Sequence, residues 1–173
     1  MKKLKERGSS TIKRAVESLN SPQEAFVENI AEVAVEKPVR EKTQTINMRV
    51  SEKFQELMKS CAQKHNIAQK SFVQLSALSM RNANNEQVTQ AWAELLKADV
   101  GPATERATFK SSSKFTEQVI PDLASRFNGN ISLAFKASAA YVASLPDEEA
   151  AALIKDAIQV DLRMNYRLTA PLR

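Results

Sequence analysis

The clearest signal in the chain is a short stretch, Thr45-Ile46-Asn47-Met48-Arg49-Val50, in which polar and apolar residues alternate with period two. A β-strand sends successive side chains to opposite faces, so Ile46, Met48 and Val50 share one face and Thr45, Asn47 and Arg49 the other. Ser51 follows as a helix N-cap, and Phe54, Leu57, Met58, Cys61 and Ala62 then recur at helical spacing. That helix is expected to end at His65-Asn66, because Asn tolerates a left-handed turn. A second helix from about Gln69 to Arg81 carries Phe72, Val73, Leu75, Ala77 and Leu78. One strand and two helices cannot close a core, since a lone strand leaves its edge unpaired, so the pattern demands a second copy.

Further along, the chain supplies a candidate. After the polar run 82–85 and a helix expected from Glu86 to Lys97, Asp99-Val100-Gly101-Pro102 breaks the pattern. Thr108 to Phe115 reads as a second strand if Phe115 is equated with Val50 and Thr116 with the Ser51 cap. Lys110, Ser112 and Lys114 then match Thr45, Asn47 and Arg49, and Ser111 and Ser113 face inward. Val119, Leu123 and Phe127 lie four apart on one face of the next helix, with Pro121 sitting awkwardly inside it or at its start. Asn128-Gly129-Asn130 supplies a turn, and Ser132 caps a helix through Phe135, Ala139 and Val142 to Leu145. The two strand–helix–helix runs share little identity but keep the same order. Pro146 and Asp147-Glu148-Glu149 open a last helix to about Arg167, with acids where the helix dipole favours them.

Upstream, residues 1–9 are basic and lack apolar periodicity, which reads as a mobile tail, and a short helix is expected from Thr11 to Leu19. Ser21-Pro22-Gln23-Glu24 is a capping box. It opens a helix with Phe26, Ile30, Val33 and Ala34 on one face and Glu28, Glu32 and Glu36 on the other, stopped at Lys37-Pro38. The expected organisation is therefore an N-terminal tail and amphipathic helix (1–42), a domain over 43–145 made of units 43–82 and 105–145 joined by a helical connector 83–104, and a C-terminal helix (146–173). The fold class is mainly α with a short two-stranded antiparallel ribbon.

Composition narrows the chemistry. One Cys and one His in 173 residues rule out a Cys/His zinc site, a disulfide framework or a four-Cys cluster within the chain. Gly8, Gly101 and Gly129 are too far apart to form a phosphate-cradling loop, so no nucleotide or other cofactor is expected. No apolar run suggests a signal core or membrane span, and a cytoplasmic protein is expected. The net charge of +5 is modest, but residues 43–82 carry six basic against two acidic residues and 105–145 five against three, so the two units together exceed the whole. The excess sits where a polyanion would meet the strands.

Residues 45–82 resemble the ribbon-helix-helix DNA-binding family, through Thr45-Ile46-Asn47-Met48-Arg49-Val50-Ser51 and the Asn66-Ile67 turn. The arrangement over 43–145 is similar to that family's tandem single-chain form, as in the T-DNA-processing and conjugative transfer accessory proteins of the virulence C operon type. The resemblance implies a two-stranded ribbon entering the major groove of double-stranded DNA, with Thr45, Asn47, Arg49, Lys110, Ser112 and Lys114 reading bases. Arg can fork to guanine and Asn can pair with adenine. It also implies phosphate clamps at the backbone of Gln69 and Lys70 and of Ser132 and Leu133. The sequence departs from the family at Asn66, where Gly is usual, and at Ala68, where Ser or Thr is usual. Two unlike strands free the target from strict palindromy.

A non-enzymatic accessory factor of plasmid transfer is the expectation, with partition or transcriptional repression as alternatives within the family. The implied further partners are a relaxase or a partition-type ATPase, met through the N-terminal helix. A pseudo-dimeric monomer is expected, with higher oligomers possible. Tyr141 and Tyr166 are not read as nicking nucleophiles, because relaxases of the metal-dependent type use a histidine cluster that this chain lacks. Cys61 reads as a buried filler and His65 as a helix-end cap, while Trp92 is either a core plug or a base-stacking residue. The competing reading of the strands is a solvated face whose Arg and Lys keep an edge soluble. A competitor of another class is a helical adaptor without DNA binding, using Phe26, Ile30 and Val33 or Leu153, Ile154, Ala157 and Ile158.

Overall fold

The computed structural model describes residues 43–169, so the tail and helices expected before residue 43 lie outside the described residues. The alternating stretch forms strand β1 (Thr43–Val50), with Ile46, Met48 and Val50 buried and Thr45, Asn47 and Arg49 exposed. The Ser51 Oγ accepts the Phe54 N–H at 3.2 Å and opens α1 (Glu52–Lys64). Beyond it Asn66 takes φ +53°, and the Ile67 N–H closes back on the Ala62 carbonyl at 3.0 Å. Helix α2 (Gln69–Ser79) starts from Ala68, which has no side chain to cap it. The connector holds α3 (Asn85–Ala98), opened by a full capping box between Asn84 and Gln87.

The second strand begins and ends earlier than its sequence suggests. β2 spans Glu105–Ser112 and pairs antiparallel with β1, Thr45 facing Lys110, Asn47 facing Thr108 and Arg49 facing Arg106. The cap is Ser112, not Thr116: the Ser112 Oγ accepts the Phe115 N–H at 3.3 Å and opens α4 (Ser113–Gln118). Burial decides this shift. Ending the strand at Ser112 turns Phe109 into the core and places Phe115, fully buried, three residues past its cap, as Phe54 stands to Ser51. Ser111 does face inward, where its hydroxyl accepts from Gln74 Nε2 at 2.7 Å and so carries no unmet polar group.

Val119, Leu123 and Phe127 are all fully buried, as their spacing predicts, but the single helix expected there is two short ones, with Val119 at the break and Phe127 in the turn that follows. The helix breaks at Val119 and resumes as α5 (Ile120–Ser125), because Pro121 has no N–H for the preceding turn and is tolerated only at a helix start. Helix α6 (Ile131–Ser144) is capped by Asn130, whose Oδ1 accepts the Leu133 N–H at 3.0 Å, and Ser132 falls inside its first turn. Helix α7 (Asp147–Met164) ends at Asn165 in a left-handed conformation, short of the expected Arg167. The chain then folds back: the buried Asp161 carboxylate accepts the N–H groups of Leu168 and Thr169, both at 3.1 Å.

These elements share one core. Helix α6 lies at its centre, against α2 and α3, while α7 covers α2. Phe54, Phe72, Phe115, Phe127, Phe135 and Tyr166 are its largest fully buried side chains. Trp92 packs on Phe127 with ring centroids 5.8 Å apart, which makes it part of the core rather than a free stacking platform. Cys61 is buried, and that burial pushes its thiol pKa up, as suits a filler. His65 stacks on Phe72. Ile154 and Ala157 are buried and Leu153 and Ile158 pack against the core, so α7 spends its apolar face inside the protein. Among the described residues no helix is long and apolar enough to cross a membrane.

Candidate nucleic-acid interface

The outward face of the β1–β2 ribbon carries Thr45, Asn47 and Arg49 on one strand and Arg106, Thr108 and Lys110 on the other, all exposed. Among the described residues no carboxylate shares that face. Arg49 stands directly opposite Arg106, a cross-strand pairing of like charges that is unfavourable until an anion lies against it. Of the six residues expected to read bases, Thr45, Asn47, Arg49 and Lys110 are on this face. Ser112 is not available, because its hydroxyl caps α4 and donates to the Tyr166 carbonyl at 2.8 Å. Lys114 has already entered α4 and donates to the Met164 carbonyl at 2.6 Å. Their places are taken by Arg106 and Thr108, whose signal was the alternation Arg106-Ala107-Thr108-Phe109-Lys110. Three consecutive serines after it obscure where that alternation ends.

At the centre of the face, Asn47 Oδ1 accepts from Arg106 Nη2 at 3.0 Å and from Thr108 Oγ1 at 2.9 Å. Behind it, each strand is held at its last outward residue by a helix. Lys136 of α6 donates to the Arg49 carbonyl at 3.1 Å, and Gln74 of α2 donates to the Lys110 carbonyl at 3.2 Å. Lys136 also pairs with Asp99 at 2.7 Å, with side chains only 16% and 12% exposed, and Asp99 in turn accepts the Ser51 N–H at 2.8 Å. Burial pushes the Asp99 carboxyl pKa up, but the bonds from Lys136 and Ser51 outweigh it and hold the group below its ordinary value. The sequence offers no local signal for this anchor, since Ser51, Asp99 and Lys136 are distant along the chain.

Beside the ribbon, a hollow of about 220 Å³ is lined by Gln55, Gln69, Lys70, Val73, Arg106 and Thr108, among others. Gln69 and Lys70 form the uncapped first turn of α2, so their backbone N–H groups have no side-chain acceptor. The corresponding pair in α6 is less open: the Leu133 N–H is already taken by Asn130, which removes one of the two amides expected there, and Ser132 remains in that first turn. Gln55 Oε1 and Thr116 Oγ1 are buried without a hydrogen-bond partner. The two hold the same place, four residues after Ser51 and Ser112, on the helices that follow the strands. Comparison of the chain with protein-family models, with curated proteins and with solved structures finds no match.

Proposed function

We propose that this chain is a sequence-specific double-stranded DNA-binding protein of tandem ribbon-helix-helix type, which reads the major groove with its two-stranded ribbon. The observation that carries the reading is the ribbon's outward face, where Arg49, Arg106 and Lys110 stand exposed, with no carboxylate beside them among the described residues, and two arginines oppose each other. The major groove is wide enough for such a ribbon, and its floor and walls supply the acceptors and phosphates that face lacks.

The tandem reading is supported by matching roles in the two halves. Ser51 and Ser112 cap the helices after the strands, Phe54 and Phe115 fill the core behind them, and Asn66 and Asn128 both take φ +53°. Ser76 and Ser138 each bond the carbonyl four residues back, and Gln74 and Lys136 each donate to a strand carbonyl. Asn66 to Asn128 is one residue longer than Ser51 to Ser112, and the extra residue falls where the helix breaks at Val119. The uncapped start of α2, beside Lys70 and Arg106, suits a flanking phosphate.

Titration of a labelled duplex with the full chain should show binding that weakens steeply with salt, and Arg49→Ala should cost about 1–3 kcal/mol and blur base preference. Affinity and preference unchanged in that variant would remove Arg49 from the site. Within the class, the family resemblance favours an accessory role in plasmid transfer over partition or repression. Footprinting on a host plasmid separates these roles by whether protection falls at a transfer origin, a partition locus or the protein's own promoter.

A further inference from the structure

The ribbon's hydrogen-bonding inventory points beyond DNA binding to the bases it takes. A guanidinium has no acceptor, so the Asn47 atom that meets Arg106 Nη2 at 3.0 Å must be the amide oxygen. That oxygen cannot donate, so the Thr108 hydroxyl 2.9 Å away donates to it as well. Both lone pairs of Asn47 Oδ1 are thereby occupied, and the side chain faces outward with the two N–H donors of Nδ2. The adenine pairing expected of an Asn needs Oδ1 to accept from the adenine N6 amino group, and here that would mean breaking one of these two hydrogen bonds.

Around Asn47 the face is almost wholly donor. Arg49, Arg106 and Lys110 have no acceptor atoms in their side chains. Among the described residues, neither the Arg49 guanidinium nor the Lys110 ammonium is drawn into a hydrogen bond or ion pair. Among the described residues only threonine hydroxyl oxygens, those of Thr43, Thr45 and Thr108, can accept on this face, and no carboxylate is there to receive the cytosine amino group. Of the four bases, guanine alone shows two adjacent acceptors, N7 and O6, in the major groove; adenine sets a donor beside its acceptor, and thymine offers one acceptor beside a methyl. Arg106 is further suited because its bond to Asn47 restrains the side chain before any base arrives.

We propose that the ribbon selects guanine, with G·C pairs at the centre of the bound site facing Arg49, Arg106 and the Asn47 amide nitrogen. The proposal rests on the DNA-binding reading above and names its target class. It is tested by selecting with the full chain from a duplex library randomised over about twelve central positions. The best-bound duplex is then compared with the same duplex carrying 7-deazaguanine, which keeps pairing and shape but lacks the N7 acceptor. Guanines should be enriched at adjacent central positions, and 7-deazaguanine should weaken binding by about ten-fold or more. Thr108→Val, which releases one lone pair of Asn47 Oδ1, should raise the relative enrichment of adenine. Enrichment of A·T pairs, no enrichment, or indifference to 7-deazaguanine, each alongside salt-sensitive duplex binding, overturns the guanine assignment and leaves DNA binding standing. Failure to retain any duplex at low salt overturns the DNA-binding reading and this one with it.

Discussion

Asp99 and Lys136 form a largely buried ion pair whose carboxylate also holds the Ser51 N–H, so removing either charge leaves the other uncompensated beside the end of β1. Asp99→Asn should destabilise the protein by about 3 kcal/mol in chemical denaturation. The pH dependence follows from the lowered folded-state pKa of Asp99: below the ordinary carboxylate value of 3.8 the unfolded chain binds the proton first. The contribution of Asp99 is thus complete above that value and is lost as pH falls further, through the folded-state pKa. Melting curves at stepwise lower pH should show the gap between the native chain and Asp99→Asn narrowing below pH 4 and constant from pH 5 to 7. Thr116 makes the opposite prediction. Its buried hydroxyl has no partner, so Thr116→Val, which keeps the shape, should stabilise by about 1 kcal/mol. Thr45, Asn47 and Arg49 were legible from alternation alone, because a strand's period of two needs no knowledge of its partner. The Asp99–Lys136 anchor was not, because nothing local links residues on three different elements.

For the elements, the instructive case is the end of β2. Ser111, Ser112, Ser113 and Thr116 all have cap chemistry, so local preference alone leaves several registers open. The choice falls to the core, which has room for Phe109 from the strand and Phe115 from the helix only when Ser112 is the cap. Ser112→Ala should therefore cost about 1 kcal/mol or somewhat more, since the Tyr166 carbonyl loses its donor too, as measured by the urea midpoint. A loss of the same size in Thr116→Val instead would return the cap to Thr116. The break at Val119 has a local cause in Pro121, whose ring and missing N–H are visible in the sequence. The turn at Asn165 is different: the helical pattern runs on, but the chain turns back so that the Leu168 and Thr169 N–H groups donate to the buried Asp161 carboxylate.

On the scale of the whole molecule, neither strand–helix–helix run is a folding unit. Among the described residues β2 is the one strand that pairs with β1, and α6 from the second run sits between α2 of the first and the connector helix α3. A fragment covering residues 43–104 leaves β1 unpaired and uncovers Phe72 and Leu75, so it should show no cooperative thermal transition, whereas the full chain should melt in one. A sharp transition in that fragment would refute the shared core. The order of elements, the apolar face of nearly every helix and the outward face of β1 could be read from periodicity and capping, because these depend on neighbours within a turn or two. The register of β2, and with it the exchange of Ser112 and Lys114 for Arg106 and Thr108 on the ribbon, depended on which aromatic side chains the common core could bury. The anchoring of both strands by Lys136 and Gln74, and the saturation of Asn47 Oδ1, likewise arise only when antiparallel pairing brings distant residues within hydrogen-bond reach.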